Sequence, residues 1–183
     1  MSYKLPNINE LSSLSYSQQE ELLGHLFEPC QTLSHKIIND IIKDNQFSSY
    51  QHFIEQVRDY LLNYVNEQAA KAVVDADISK IIAAHPRLGG SSKGTQDLSQ
   101  HSSKEQKSLQ GSAEETQRLI ELNDKYEETF PGLRYVVFVN GRPRLVIMKD
   151  METRIEKNDI QAERIHAMNA MCDIALDRAS KLQ

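Results

Sequence analysis

Cysteine, proline and glycine are all scarce in this chain, at 2, 5 and 7 of 183 residues. Two cysteines cannot form a disulfide framework. Cys30 and Cys172 also lack the CxxC or Cys/His spacing of a zinc or redox site, so they read as reduced thiols of an intracellular protein. Few glycines and prolines mean few breaks in regular structure, which favours helix. Positive charge is in deficit, with 21 Lys and Arg against 26 Asp and Glu, a net charge of −5. No block of basic residues longer than two offers the face that phosphate neutralisation requires, so nucleic acid is excluded as a partner. Also missing is any apolar run near the roughly 18 residues of a membrane span, and the opening MSYKLPNINE has no signal-peptide core. The expectation is a soluble, cytoplasmic protein. Ser180, Lys181 and Leu182 spell the peroxisomal SKL address, but Gln183 follows and blocks a signal read at the extreme C-terminus, which leaves the peroxisome as the alternative.

What the chain does contain is an apolar pattern at helical spacing, within a composition of 39% apolar and 26% charged residues suited to one globular domain over residues 1–183. Leu33, Ile37 and Ile41 draw one stripe; Phe53, Val57, Leu61 and Tyr64 a second; Leu119, Leu122, Tyr126 and Phe130 a third. Ser17 and Ser49 stand where helix N-caps are expected. A helix over QAAKAVVDADISKIIAA should stop near Ala84 or His85, because Pro86 disfavours helix in the residue before it. GGSSKGT, from Gly89, reads as a loop. RYVVFVNGRPRLVIM has the pattern of a tight hairpin about Asn140 and Gly141, but a short extended segment followed by a helix opening at Pro143 fits better. That helix would bury Leu145, Met148, Met151 and Ile155. A closing amphipathic helix from about Asp159 aligns Ile165, Met168, Cys172, Ala175, Ala179 and Leu182. The fold class is all-α.

Three stretches have residue types suited to chemistry. In AAHPRLGG, His85 ends an apolar helix and is held by Pro86, so its imidazole should have a fixed direction and a pKa near neutrality; the alternative is a histidine placed only to suit the helix dipole. In HSSKEQ, Ser102 and Glu105 have the S-x-x-E spacing of a capping box, which would be purely structural. On the closing helix Arg178 lies beside the buried stripe and Arg164 nearer its centre. A buried arginine needs an anion, so one of them should meet a carboxylate. SSKGT reverses the order of a P-loop, no GxSxG elbow is present, and the histidines lack metal-ligand spacing. Acid/base work on a small carboxylate-bearing molecule remains.

The order of these motifs resembles one family, the decarboxylases of 2-oxo-4-hydroxy-4-carboxy-5-ureidoimidazoline (OHCU), over nearly the whole chain. The resemblance rests on INELSS and LGHLFEPC near the start and His85-Pro86 at a helix end. Ser102, Glu105 and Gln106 follow as S-x-x-EQ, then Leu122, Asn123 and Tyr126 as LN-x-x-Y, the stretch FPGLRYVV, RIEKN, and a last helix reaching Arg178. Two departures stand out: Arg87 in HPRLGG, where HPDLAGK is commoner, and Arg134, where a proline is usual.

The resemblance implies an all-α, multi-helix bundle that works as a homodimer without metal or organic cofactor. The implied reaction is decarboxylation of OHCU, a ureide of urate breakdown, to (S)-allantoin. By position, His85, Glu105 and Arg178 would be catalytic, and Pro86, Ser102, Gln106, Val136, Val137 and Phe138 would contact substrate. Glu105 and Gln106 would hold the ureido and ring N–H groups, Arg178 the ring oxygens or the neighbourhood of the departing carboxylate, and His85 the hydroxyl and carboxylate. Two other readings stay open: a helical binding module of this fold without chemistry, and a decarboxylase of a related small ureido acid.

Overall fold

The computed structural model describes residues 3–89, 100–106 and 111–183, except for the side chain of Gln106. Among them every regular element is helical. A 3-10 turn, Ile8–Ser13, leads into α1 (Tyr16–Phe27); α2 (Gln31–Ile37) runs on into a π turn, Ile38–Ile42; α3 covers Tyr50–Ala69 and α4 Ala76–Ala83. They are followed by α5 (Gln100–Gln106), α6 (Ala113–Thr129), α7 (Arg144–Lys157) and α8 (Ile160–Leu182). The all-α class read from the sequence holds.

Capping fixes where the helices start. Ser49 accepts from the His52 N–H to open α3, as its position predicts, and Asp159 does the same for α8 through Ala162. The capping serine of α1 is Ser15, not Ser17: Ser15 and Gln18 form a reciprocal capping box that starts the helix one residue before Ser17. The single helix expected over 68–84 is two pieces. α3 ends at Ala69, Val73 is 83% exposed, and α4 starts afresh with Asp75 as its cap, because the intervening residues bury too little to hold a helix. α4 does end at Ala83, ahead of Pro86, as expected. Residues 90–99, most of the glycine-rich stretch, lie outside the described residues.

Residues 134–139 run extended without a sheet partner, turn at Asn140 and Gly141, and enter α7 through Pro143 as its N-cap. The preferred reading of this stretch therefore holds, with one correction. Leu145 is 67% exposed, while Ile147 joins Met148, Met151 and Ile155 on the buried face, since that face follows the i, i+4, i+8 row Ile147, Met151 and Ile155 and leaves Leu145 to one side.

α8 is the axis of the molecule, packed along α3 and α1 and touching α4. Its small buried residues Ala167, Ala170, Ala175 and Ala179 let neighbouring backbones come close, and Met168, Met171 and Cys172 fill the gaps between them. Leu22, Phe27, Phe53, Val57, Leu61, Ile78, Leu122 and Tyr126 complete one contiguous apolar cluster. Each such side chain contributes about 1.5–3 kcal/mol on burial. No helix among the described residues is long and apolar enough to cross a membrane.

Candidate functional site

A cavity of about 310 Å³ opens between the end of α4, the face of α5, the extended residues after Arg134 and the second half of α8. Its walls bring together His85 and Pro86, Ser102 and Glu105, Val136, Val137 and Phe138, and Arg178. Of the residues singled out from the sequence, only the side chain of Gln106 lies outside the described residues.

Each wall has a local cause. α4 stops at Ala83, so His85 leaves the helix and its ring turns inward, 4% exposed. Below it, Asn123 of α6 donates to the Leu88 carbonyl at 2.9 Å and pins the chain after Pro86. The extended wall is anchored by Tyr135, which is buried and donates to Asp150 at 2.5 Å. Behind it Arg154 bridges Asp150 and the buried Glu163, and Glu163 accepts from Tyr126 at 2.7 Å. Burial first, and these carboxylate neighbours second, push both phenols well above their usual range, so they stay protonated donors.

α5 spans Gln100–Gln106, which places Ser102 inside the helix and not at its cap. The capping box read for Ser102 and Glu105 does not form, because Ser102 already lies within the helix. Ser102 instead donates to Glu28. Glu28 is the functional candidate that sequence reasoning passed over, although it sits in the LGHLFEPC stretch that contributed to the family resemblance. It ends α1 with φ of +82°, a conformation few residues other than glycine adopt, and this turn sends its carboxylate into the protein, where it is 4% exposed. Holding glutamate there costs about 1–3 kcal/mol, a kind of strain that gathers at functional sites.

Arg178 is the hub. Its Nε and Nη2 donate to the two oxygens of Glu105 at 3.0 and 2.7 Å, and Nη2 also reaches Glu28 at 2.9 Å. Its Nη1 lies against the carbonyls of His25 and Leu26 at 3.3 and 3.4 Å. Burial alone would lower its pKa; the hydrogen bonds and charges of Glu105 and Glu28 outweigh that and raise it. The expectation that a buried arginine of the last helix meets a carboxylate holds for Arg178 and not for Arg164, which is only half-buried and whose Nη1 meets Gln161 at 3.4 Å. Every guanidinium nitrogen of Arg178 thus has a protein acceptor, so its geometry suits holding two carboxylates in place better than gripping ring oxygens.

His85 differs from its expected state. Its pKa is pushed down to about 4, chiefly by burial, which outweighs the raising influence of the Glu28 carboxylate and a hydrogen bond to the Phe27 backbone; Arg178 and Arg134 add to the lowering. Near neutral pH the imidazole is uncharged. Its Nε2 is buried and has no hydrogen-bond partner among the described residues, on a side chain that lines the cavity. Two carboxylates, one guanidinium and a neutral imidazole give the cluster a net charge of −1, which protonation of His85 would cancel.

Neither departure from the family pattern lies in the cavity wall. Arg87 turns outward to Glu127 and Asp124 of α6 at 2.5 and 2.8 Å, and Arg134 turns back to the end of α4. No cluster of three or more metal-ligating side chains occurs among the described residues.

A family model described as OHCU decarboxylase matches residues 12–180 of the chain. The chain is also 26% identical over 175 residues to the "Uric acid degradation bifunctional protein" of Bacillus sp. (strain TB-90). That match takes in 96% of this chain and 32% of the relative, so the chain spans about a third of the length of the curated protein it matches.

Proposed function

From the membership of this chain in the OHCU decarboxylase family we propose that it decarboxylates OHCU to (S)-allantoin in urate catabolism, as a lyase that needs no cofactor. The observation that carries this reading is the unpartnered Nε2 of a buried, neutral His85, on a cavity that Glu105 also lines. Such a nitrogen can accept the proton of the substrate's hydroxyl and return it, as general acid/base catalysis requires. In the reaction the bond from ring carbon to carboxylate breaks, its electron pair passes into the adjacent imine, whose nitrogen takes up a proton, and carbon dioxide leaves; the enol so formed loses its hydroxyl proton to become a carbonyl as the neighbouring ring carbon takes up another. The substrate supplies its own electron sink, and the protein supplies orientation and one-sided proton delivery.

Glu105, held rigid by its two-point pairing with Arg178, presents acceptors for ureido and ring N–H groups, with Gln106 beside it in sequence. Val136, Val137 and Phe138 supply an apolar wall that excludes water, and Pro86 fixes the approach of His85. Arg178 and Glu28 set the charge of the pocket. We place the activity in one domain over residues 1–183 that pairs as a homodimer in the cytoplasm, with the peroxisome as the alternative compartment.

The test is turnover of freshly generated OHCU, followed by the circular dichroism of the allantoin formed. The wild-type chain should accelerate decay and give one enantiomer. His85→Asn and Glu105→Ala, each shown to be folded, should lose on the order of 10²-fold in rate. Wild-type rates in both variants would defeat the assignment. Acceleration of a different ureido acid in preference to OHCU would move the substrate while keeping the chemistry.

A further inference from the structure

The end of α4 is met by a side chain from far along the sequence. Arg134 Nη1 donates to the carbonyls of Ala83 and His85, at 3.0 and 2.8 Å. The last carbonyls of any helix lack internal partners and carry the negative end of its dipole, so a cation there is favourable. The second bond goes further, because it is made to His85 itself, the residue that exposes its ring to the cavity.

The segment carrying Arg134 is built to come this close. Gly132 has φ of +87°, a conformation that favours glycine, and a Cβ placed on it would lie 2.8 Å from Ser79 Oγ and 3.4 Å from Ser79 Cβ, so the segment passes close against α4. Immediately after Arg134 the chain lines the same cavity, through Tyr135, Val136 and their successors. One side chain thus ties the segment that holds the imidazole to another part of the cavity's lining.

We propose that Arg134 is a positioning residue for His85: by bonding the Ala83 and His85 carbonyls it fixes the direction from which the imidazole faces the cavity and the separation of these two parts of the lining. The inference rests on the reading of His85 as the proton-handling group. Lysine, a point charge on a flexible stem, keeps the positive charge at this place but not the planar guanidinium. Charge and geometry can therefore be separated. The other charged groups that face the ring are Glu28 at the end of α1 and Arg178 of α8, with Glu105 of α5 paired to Arg178, and all of these are left in place.

The experiment compares Arg134→Leu and Arg134→Lys with the wild-type chain, using OHCU kinetics and an NMR titration of the His85 ring, assigned through His85→Asn. Ser49→Ala, which removes the cap of α3 away from the cavity, serves as the control for plain destabilisation. Arg134→Leu should lower kcat about tenfold to a hundredfold, as small misplacements of a reacting group do, with KM changed less than twofold. Its His85 midpoint should rise, because a neighbouring positive charge is gone. Arg134→Lys should keep the midpoint near the wild-type value and lose less of kcat. Ser49→Ala should lower Tm and leave both readouts alone. Wild-type kcat and an unmoved midpoint in Arg134→Leu would overturn the inference. Should that variant fail to fold, a wild-type kcat in Arg134→Lys together with a displaced midpoint would overturn it equally. A wild-type chain inert towards OHCU would sink the decarboxylase reading, and the NMR titration would still decide whether Arg134 governs the ring.

Discussion

Burial, more than any charged neighbour, sets the state of His85. The folded-state pKa of about 4 lies below the value of about 6.5 for an exposed histidine. Between those two values the unfolded chain binds a proton that the folded chain refuses. Stability from this group is therefore fully present above about pH 6.5 and is lost as pH falls towards 4. Thermal melts over that range should show Tm falling with pH, and His85→Asn should flatten part of the slope. Glu28→Gln keeps the shape of the side chain and removes its charge. Since the carboxylate raises the His85 pKa, the variant should titrate at lower pH than wild type and lose about tenfold or more in kcat/KM, read by NMR and initial rates. At this scale the sequence was partly legible. The family resemblance brought His85, Glu105 and Arg178 together as candidates, and the three do line one cavity, whereas spacing alone made Glu105 part of a capping box. Glu28 could not, because its part depends on a backbone turn with φ of +82° that residue type does not encode. The role of Arg134 was equally hidden, since its acceptors lie 49 and 51 positions away and are backbone atoms of no particular residue type.

Among the elements, α7 separates pattern from packing most clearly. Helical spacing put Leu145 and Met151 on one stripe, yet Leu145 is 67% exposed and Met151 is fully buried. Met151→Ala should cost about 2–5 kcal/mol in chemical denaturation. Leu145→Glu should shift stability by no more than about 0.5 kcal/mol, as surface changes do. Periodicity named the right helix and misjudged its buried face by one residue in the first turn, where Ile147 and not Leu145 faces the core, because both residues are apolar and lie near the same stripe. The break between α3 and α4 was missed for a related reason. The stretch AAKAVVDAD has helix-forming residues throughout, and only the capping of Asp75 onto Asp77 and the lack of anything to bury Val73 against divide it. Of the two caps named from the sequence, Ser49 sits where it was expected and Ser17 gives way to Ser15 two residues earlier, since several serines near one helix start can each offer the same short-range bond.

At the scale of the whole molecule, the site draws on α1, α4, α5, α8 and the extended run after Arg134, so no single element contains it. An all-α class could be read from composition and periodicity. The convergence of distant stretches could only be expected by resemblance, because nothing in local spacing brings residues 28, 85, 105 and 178 to one point. Activity and helical signal should accordingly vanish together on heating, and an activity curve that falls well before the far-UV signal would count against a shared unfolding step. The 150 residues between Glu28 and Arg178 have a further consequence during synthesis. At about 5–20 residues per second, the ribosome needs roughly 8–30 seconds to add the guanidinium after the carboxylate. Through that interval the nascent chain lacks the Arg178 guanidinium, so the ion pair at the end of α1 can close only after the last helix has been made.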